Sequence, residues 1–274
     1  MTRLFTLTFA LTLSLLTTAF AQPLAQAHAH NDYEHDRPLL DALEHGFTSV
    51  EADIRLVFGE LFVAHDAHEI RRGRTLESLY LEPLRARIQE NGGSVYPDAE
   101  TPLTLLIDIK THDEATYGAL HDVLEEYKEL LTRYQGGTVE PGAVSAIVSG
   151  NRPRELMEAQ ELRYAGYDGR MEDLGTGARA SLIPLISDNW TNIFTWTGEG
   201  EMPAGERAEL ERIVDTAHAD GQRVRFWATP DEASAERDAL WQVLSEVGVD
   251  HINTDDLAGL ETFLRAQNDA AQTQ

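Results

Sequence analysis

A single α/β domain built as a TIM-type (β/α)8 barrel, regular or distorted, is the fold this sequence predicts, on three observations. Short apolar runs alternate with amphipathic segments, the pattern of repeated strand-helix units around a parallel sheet. Once an N-terminal leader is set aside, roughly 250 residues remain, the usual length of one such barrel. The polar residues with chemical potential fall at or near the C-terminal ends of the apolar runs, the rim where this architecture places its sites.

The elements follow in chain order. Residues 1–21 read as a signal peptide: Thr2-Arg3 gives a short positive start, 4–20 are almost wholly apolar or hydroxylic, and Ala19-Phe20-Ala21 supplies a small-x-small cleavage pattern. No later run is long enough to span a bilayer. There is no cysteine for a lipid anchor or a disulfide. The expectation is an exported chain, periplasmic or secreted, with residues 22–274 forming the barrel domain. Candidate strands are Ala25–His30, Ser49–Leu56, Leu103–Lys110, Ala143–Val148, Leu162–Ala165, Leu182–Ser187, Arg223–Ala228 and Val249–Asn253. A further short run, Glu60–Ala64, reads as a hairpin-like extension that brings His65 back over the rim. Glu114–Tyr134 reads as a helix with Leu120, Val123, Leu124, Tyr127, Leu130 and Leu131 on one face. Arg207–Asp220 and Glu232–Val247 read likewise, with Gly221 and Gly248 as helix stops. Asp255-Asp256 is placed to cap a last helix to about Arg265, after which the polar tail 266–274 is expected to fray.

Charge narrows the partners. The chain carries 47 acidic against 22 basic residues, a net charge of −25, and its only lysines are Lys110 and Lys128. Such a surface argues against nucleic acid and against broad adhesion to anionic membrane. Arg71-Arg72-Gly73-Arg74 is a local exception, read either as a loop that meets a phosphate or as a plain charged loop.

Glu51-Ala52-Asp53 is the strongest chemical signal. Residues two apart on a strand share a face, so both carboxylates aim at one place from an otherwise apolar run. Asp108 and Lys110 repeat the pattern on Leu105–Lys110. Three inward acids suit a hard divalent cation, Mg²⁺ or Ca²⁺, and the plainer alternative for Glu51 and Asp53 is a salt bridge to Arg55. His30 and His65 stand beside acids, Asp32 and Asp66, that could orient them, which suits an acid and base pair for breaking a P–O bond. Lys110 suits neutralising a phosphoryl oxygen, against the alternative of an ion pair with Asp108 or Glu51. Trp227, on the face of Arg225, either walls a substrate pocket or fills the barrel. A zinc pair at His28-Ala29-His30, as in amidohydrolase-type barrels, would need further histidines on the fifth and sixth strands, and none ends either.

These pieces resemble a known superfamily. His30-Asn31-Asp32-Tyr33, Thr48–Asp53, His65-Asp66, Arg74–Leu84, Leu105–Thr111, Ser149–Pro153, Arg225–Pro230 and Ile252–Leu257 stand in family order over nearly the whole chain after the leader. The sequence is similar to the phosphodiesterases that join glycerophosphodiester phosphodiesterases with phosphatidylinositol-specific phospholipases C and spider sphingomyelinase D. Within them it looks most like the branch named after yeast altered inheritance of mitochondria protein 6. The resemblance implies a TIM-type barrel and a phosphodiesterase using one divalent cation. It implies Glu51, Asp53 and Asp108 as metal ligands, His30 and His65 as the acid-base pair, and Lys110 as a phosphate contact. Beside these, the residue reading takes Asp66 as the residue that orients His65, and Asn31, Trp227 and Asn253 with Lys110 as candidates on the substrate side. Two departures bear on substrate: His-Asn-Asp stands where glycerophosphodiesterases have His-Arg-Gly, and Asp108-x-Lys110 where they have Glu-x-Lys. The expected substrate is a small-molecule or lipid phosphodiester, with a cyclic phosphate as first product where an internal hydroxyl attacks. The competing class is an exported barrel that binds an anionic ligand or metal without turnover, which has no need of two proton shuttles.

Overall fold

The structure, a computed structural model, describes residues 21–97, 99 and 101–272. The signal peptide expected at 1–21 lies, but for Ala21, outside the described residues. Eight strands pair in parallel around a closed cycle: β1 (Leu24–Ala29), β2 (Phe47–Val57), β3 (Leu103–Ile109), β4 (Val144–Gly150), β5 (Ala165–Gly169), β6 (Leu185–Asn189), β7 (Arg223–Trp227) and β8 (His251–Thr254). β8 returns to β1 with His28 opposite Asn253, and β1 pairs β2 with His28 opposite Ser49. The register of β2, β3 and β4 sets Asp53 beside Asp108 and Asp108 beside Ser149. Side chains at one height on neighbouring strands share one layer of the barrel, so this register gathers the acids.

Period-two alternation sorts each strand. Val50, Ala52, Ile54, Leu105, Ile107, Ala146, Val148, Val224, Phe226 and Ile252 face outward and join the main apolar core beneath the helices. Inward positions hold a small separate cluster, Leu106, Ile147 and Leu185, with polar side chains above it. The helices are α1 (Leu40–Glu44), α2 (Glu82–Glu90), α3 (Asp113–Glu126), α4 (Arg154–Ala159), α5 (Trp190–Ile193), α6 (Ala204–Ala219), α7 (Ala235–Val247) and α8 (Leu257–Gln272). The barrel is distorted, since β5 passes to β6 through a short 3-10 turn, Met171–Asp173, with no α-helix. Gly248 ends α7 in a left-handed turn, φ 88°, which a residue without Cβ adopts freely. No helix among the described residues is long and apolar enough to cross a membrane.

Three expectations need correction. α3 stops at Glu126 instead of Tyr134, because Leu130 and Leu131 are buried by the chain turning under β4, where Val144 N donates to Leu130 O. The run Leu162–Ala165 is split: Leu162–Arg163 pairs antiparallel with Arg133–Gln135 in a small separate sheet, and β5 begins at Ala165. α8 runs past Arg265 to Gln272, through alanines that favour helix, so 266–272 are helical where fraying was expected.

Candidate active site

β2 and β3 together build an acidic layer. Glu51, Asp53 and Asp108 each bring one carboxylate oxygen to within 4.8 Å of the others. Among the described residues Asp53 Oδ1 is buried with no hydrogen-bond partner, and Asp108 Oδ1, likewise buried, has the Lys110 ammonium at 3.2 Å as its ion-pair neighbour. Buried carboxylate oxygens without donors are costly, and a hard cation is the partner they suit. Lys110 Nζ is also 3.2 Å from Asp53 Oδ2, so the ion-pair alternative for Lys110 is met with Asp53 and Asp108. Glu51 is paired with Arg225 of β7, whose guanidinium also donates from Nε and Nη2 to Asn253 Oδ1 at 2.9 and 2.6 Å. Arg55 takes no part in this layer and donates instead to His65 O at 2.6 Å. Three carboxylates thus face two cations, and the remaining negative charge leaves room for a divalent cation together with a phosphodiester monoanion. The donor set fits the cation.

The electrostatics follow from burial and neighbours. Burial opposes charge on Glu51, yet the Arg225 guanidinium and His28 hold its carboxyl well below the usual range. Burial pushes the Asp53 carboxyl up to about 6, Lys110 pulling against it and the charges of Glu51 and Asp108 adding to it. Burial likewise raises Asp108 against the pull of Lys110. His28 sits inside the barrel with Nδ1 2.6 Å from Ser49 Oγ and Nε2 3.3 Å from Glu51 Oε2. Burial and Arg225 lower its pKa to about 3, and with both ring nitrogens turned to Ser49 and Glu51 it does not form a zinc pair with His30.

His30 follows β1 with Nδ1 2.8 Å from Asp255 Oδ1 and 3.1 Å from Asn31 Nδ2. Burial works against its charge, but the Asp255 hydrogen bond and the Glu51 carboxylate raise its pKa overall. Asp32, the expected orienting acid, does a different job: its Oδ2 accepts from Leu39 N at 2.6 Å and Tyr80 OH at 2.9 Å, below the loop. His65 returns to the rim because Glu60–Val63 pairs antiparallel with the end of β2 and Ala64 N donates to Asp53 O at 3.0 Å. Its Nδ1 is 3.6 Å from Asp66 Oδ2, beyond hydrogen-bond length, and both side chains are more than half exposed.

His30, Asn31, Glu51, His65, Asp108 and Lys110 line one cleft of about 240 Å³, and Ser149, Arg170, Arg225 and Trp227 complete its wall. Trp227 is therefore a pocket wall, with the Arg170 guanidinium 4.8 Å from its ring centre. Asn253 is not on that wall; buried behind it, it holds Arg225, because the two side chains come from adjacent strands and face the same interior. Arg71 and Arg74 donate to the carbonyls of His68 and Tyr33 and do not reach the cleft. Sequence reasoning misses Arg170, fixed by Asp168 Oδ2 at 2.6 Å and Ser187 Oγ at 3.0 Å, because it ends the fifth strand at Ala165. It also misses Asp255, which it gives to capping, and Tyr33, whose OH lies 2.9 Å from Asp53 Oδ2. Asp256 is the residue that caps α8, accepting from Gly259 N at 2.9 Å.

Comparison with known proteins places this geometry in context. A family model described as AIM6-like phosphodiesterase domain matches residues 18–168, the interval that carries His30, Glu51, Asp53, His65, Asp108 and Lys110. A second, described as glycerophosphoryl diester phosphodiesterase family, matches residues 223–258, which carry Arg225, Trp227, Asn253 and Asp255. The chain is similar to altered inheritance of mitochondria protein 6 of Eremothecium gossypii, at 30% identity over 270 residues covering 88% of this chain and 69% of the relative. It is similar to the homologue from Arthroderma benhamiae, at 28% identity over 254 residues covering 84% of this chain and 81% of that one. A solved glycerophosphoryl diester phosphodiesterase from Parabacteroides distasonis shares the fold, with a TM-score of 0.53 at 14% identity over 90% of this chain and 88% of its own.

Proposed function

The chain belongs to the family of AIM6-like phosphodiesterases and is a phosphoric diester hydrolase; we propose that it cleaves a glycerophosphodiester- or phospholipid-like P–O bond by His30/His65 acid-base catalysis at a divalent cation held by Glu51, Asp53 and Asp108. One observation carries this reading: three carboxylates converge, Asp53 and Asp108 each with an under-satisfied buried oxygen, and Glu51 and Asp108 line the same cleft as the two histidines. Export rests on the apolar leader at 4–20.

When bound, the cation supplies Lewis acidity and charge neutralisation at a non-bridging phosphoryl oxygen. Lys110, already beside Asp53 and Asp108, adds a positive charge where the phosphoryl oxygens gather negative charge. Asp255 favours the tautomer of His30 with the proton on Nδ1, leaving Nε2 to take a proton from a neighbouring substrate hydroxyl or from water. That oxygen bonds to phosphorus as the bond to the departing alcohol breaks, and His65 gives the alcohol its proton. Asp66, at 3.6 Å, is the carboxylate at hand to steady the His65 imidazolium. An internal hydroxyl yields a cyclic phosphate and the free alcohol; water yields a monoester and the alcohol. Asn31 and Trp227 bound the space the substrate enters.

The test follows phosphorus by NMR with Mg²⁺ or Ca²⁺ over glycerophosphodiesters, phosphatidylinositol, lysophospholipids and sphingomyelin. At least one is expected to give a cyclic phosphate or monoester signal. His30→Ala and His65→Ala should each slow it by roughly 10²–10⁴ while unfolding at the wild-type temperature. Wild-type rates in both variants would refute the assignment, whichever histidine is the base.

A further inference from the structure

Beside the cleft, and sharing Lys110 with it, a wider groove of about 760 Å³ runs along the rim at the ends of β2, β3 and β4. In a chain of net charge −25, its wall gathers Arg55, Lys110, His112 and Arg152, and the one carboxylate on it among the described residues is Asp113. Arg55 and Arg152 form no ion pair among the described residues: Arg55 donates to His65 O, and Arg152 Nη1 to Gly150 O at 3.0 Å. Arg152 Nε is buried with no hydrogen-bond partner among the described residues. The side chain is nevertheless fixed. Its guanidinium lies 4.8 Å from the Tyr167 ring centre, and the loop beneath it is tied down by Asn151, through N to Ile109 O at 2.9 Å and Nδ2 to Thr111 O at 3.0 Å. A planar, pre-positioned guanidinium with donors to spare recognises anionic oxygens in pairs.

We propose that this groove binds a second anionic oxygen group, a phosphate monoester or a carboxylate, carried on an alcohol portion of the substrate. The inference rests on the phosphodiesterase reading and deepens it: the preferred diester has one charge at the scissile phosphate and another reaching past Lys110 to Arg152 and Arg55. A groove for a neutral alcohol would gain nothing from unpaired guanidinium groups, whose hydration it must displace.

The test compares three diesters that share a glycerol: glycerophosphoglycerol, the same compound with a terminal phosphate monoester, and glycerophosphoglycerate with a carboxylate. At least one charged diester is expected to exceed the neutral one in kcat/KM by about tenfold or more, chiefly through KM, and which one does so identifies the group. Arg152→Gln should bring the ratio of charged to neutral kcat/KM toward one, Arg55→Gln should lower it, and Arg152→Lys should retain part of it. A wild-type ratio near one, or a ratio untouched by Arg152→Gln and Arg55→Gln, overturns the proposal. Calorimetric titration with glycerol 3-phosphate, glycerol 1,3-bisphosphate and glycerate 3-phosphate gives a readout without turnover. Preferential binding of either probe with a second anionic group, lost in Arg152→Gln, supports the groove, and equal binding of all three overturns it. Absence of turnover on every diester counts against the phosphodiesterase reading alone.

Discussion

Asp255 lies 225 residues from His30 in sequence and 2.8 Å from its Nδ1 in space. That carboxylate favours the imidazolium, so Asp255→Asn should lower the His30 pKa. If His30 is the base, the acidic limb of the kcat/KM profile moves to lower pH in the variant, with kcat reduced about tenfold or more as the ring loses its orientation. A limb that stays in place, measured on the same substrate, would separate His30 from that titration. At this scale the sequence shows clearly those residues that break an apolar period: Glu51, Asp53, Asp108 and Lys110 stand out as charge inside strands, and His30 and His65 stand beside acids at strand ends. It is silent where function depends on a partner brought by the fold. Nothing in the spacing marks Asp255 as the orienting acid in place of Asp32, or Arg225 as the mate of Glu51 in place of Arg55. Asn253 ends the right strand but spends its carbonyl on Arg225.

Elements deliver these groups to one height. The β2 hairpin was legible because Glu60–Ala64 is too short and too close to β2 for a crossover, and its antiparallel return sets His65 over Asp53. The turn leaving β4 was not legible, yet it is packed hard against the acidic layer. Gly150 has φ 66°, and a Cβ there would meet Asp108 Oδ1 at 2.0 Å and Ile109 O at 2.6 Å. Gly150→Ala should therefore displace Asp108, weaken Mg²⁺ or Ca²⁺ binding by about tenfold or more, and cost about 1–3 kcal/mol of stability. Calorimetric metal titration and urea denaturation check the two parts, and wild-type values in both would mean that the turn yields without moving Asp108. The sequence puts the fifth strand too early because Leu162–Ala165 is a β-like run in its own right, and part of it does pair, with Arg133–Gln135 in the small sheet. That displacement hid Asp168 and Arg170, which lie at the true C-terminal end of β5.

The whole molecule joins a buried polar interior to an acidic exterior, and its stability should record both. Without metal, burial holds Asp32 up to about 7 and Asp53 up to about 6. A carboxyl raised on folding contributes stability that is fully present below its unfolded value and lost as pH rises through its folded one, so stability should increase from about pH 8 down to about 6.5. Buried His28, lowered to about 3, and His251, lowered well below its ordinary value by burial and then Arg223, act oppositely. The unfolded chain protonates them near about 6.5 while the folded chain does not, so the rise should level off below that pH. Asp32→Asn should remove part of the rise, and added Mg²⁺ or Ca²⁺ should remove the part due to Asp53 by holding it ionised. Denaturation midpoints in chelator across that range check this, and a fall in stability between pH 8 and 6.5 would contradict it. The most direct measurement of the central claim, a metal-dependent phosphodiesterase site built on Glu51, Asp53 and Asp108, is the hydrolysis rate of bis(p-nitrophenyl) phosphate by chelator-stripped protein before and after Mg²⁺ or Ca²⁺ is restored. Activity should vanish on stripping, return with the cation, and stay about 10²-fold or more lower in Asp108→Asn at every metal concentration. A rate that survives stripping, or an Asp108→Asn variant as fast as wild type, would contradict it.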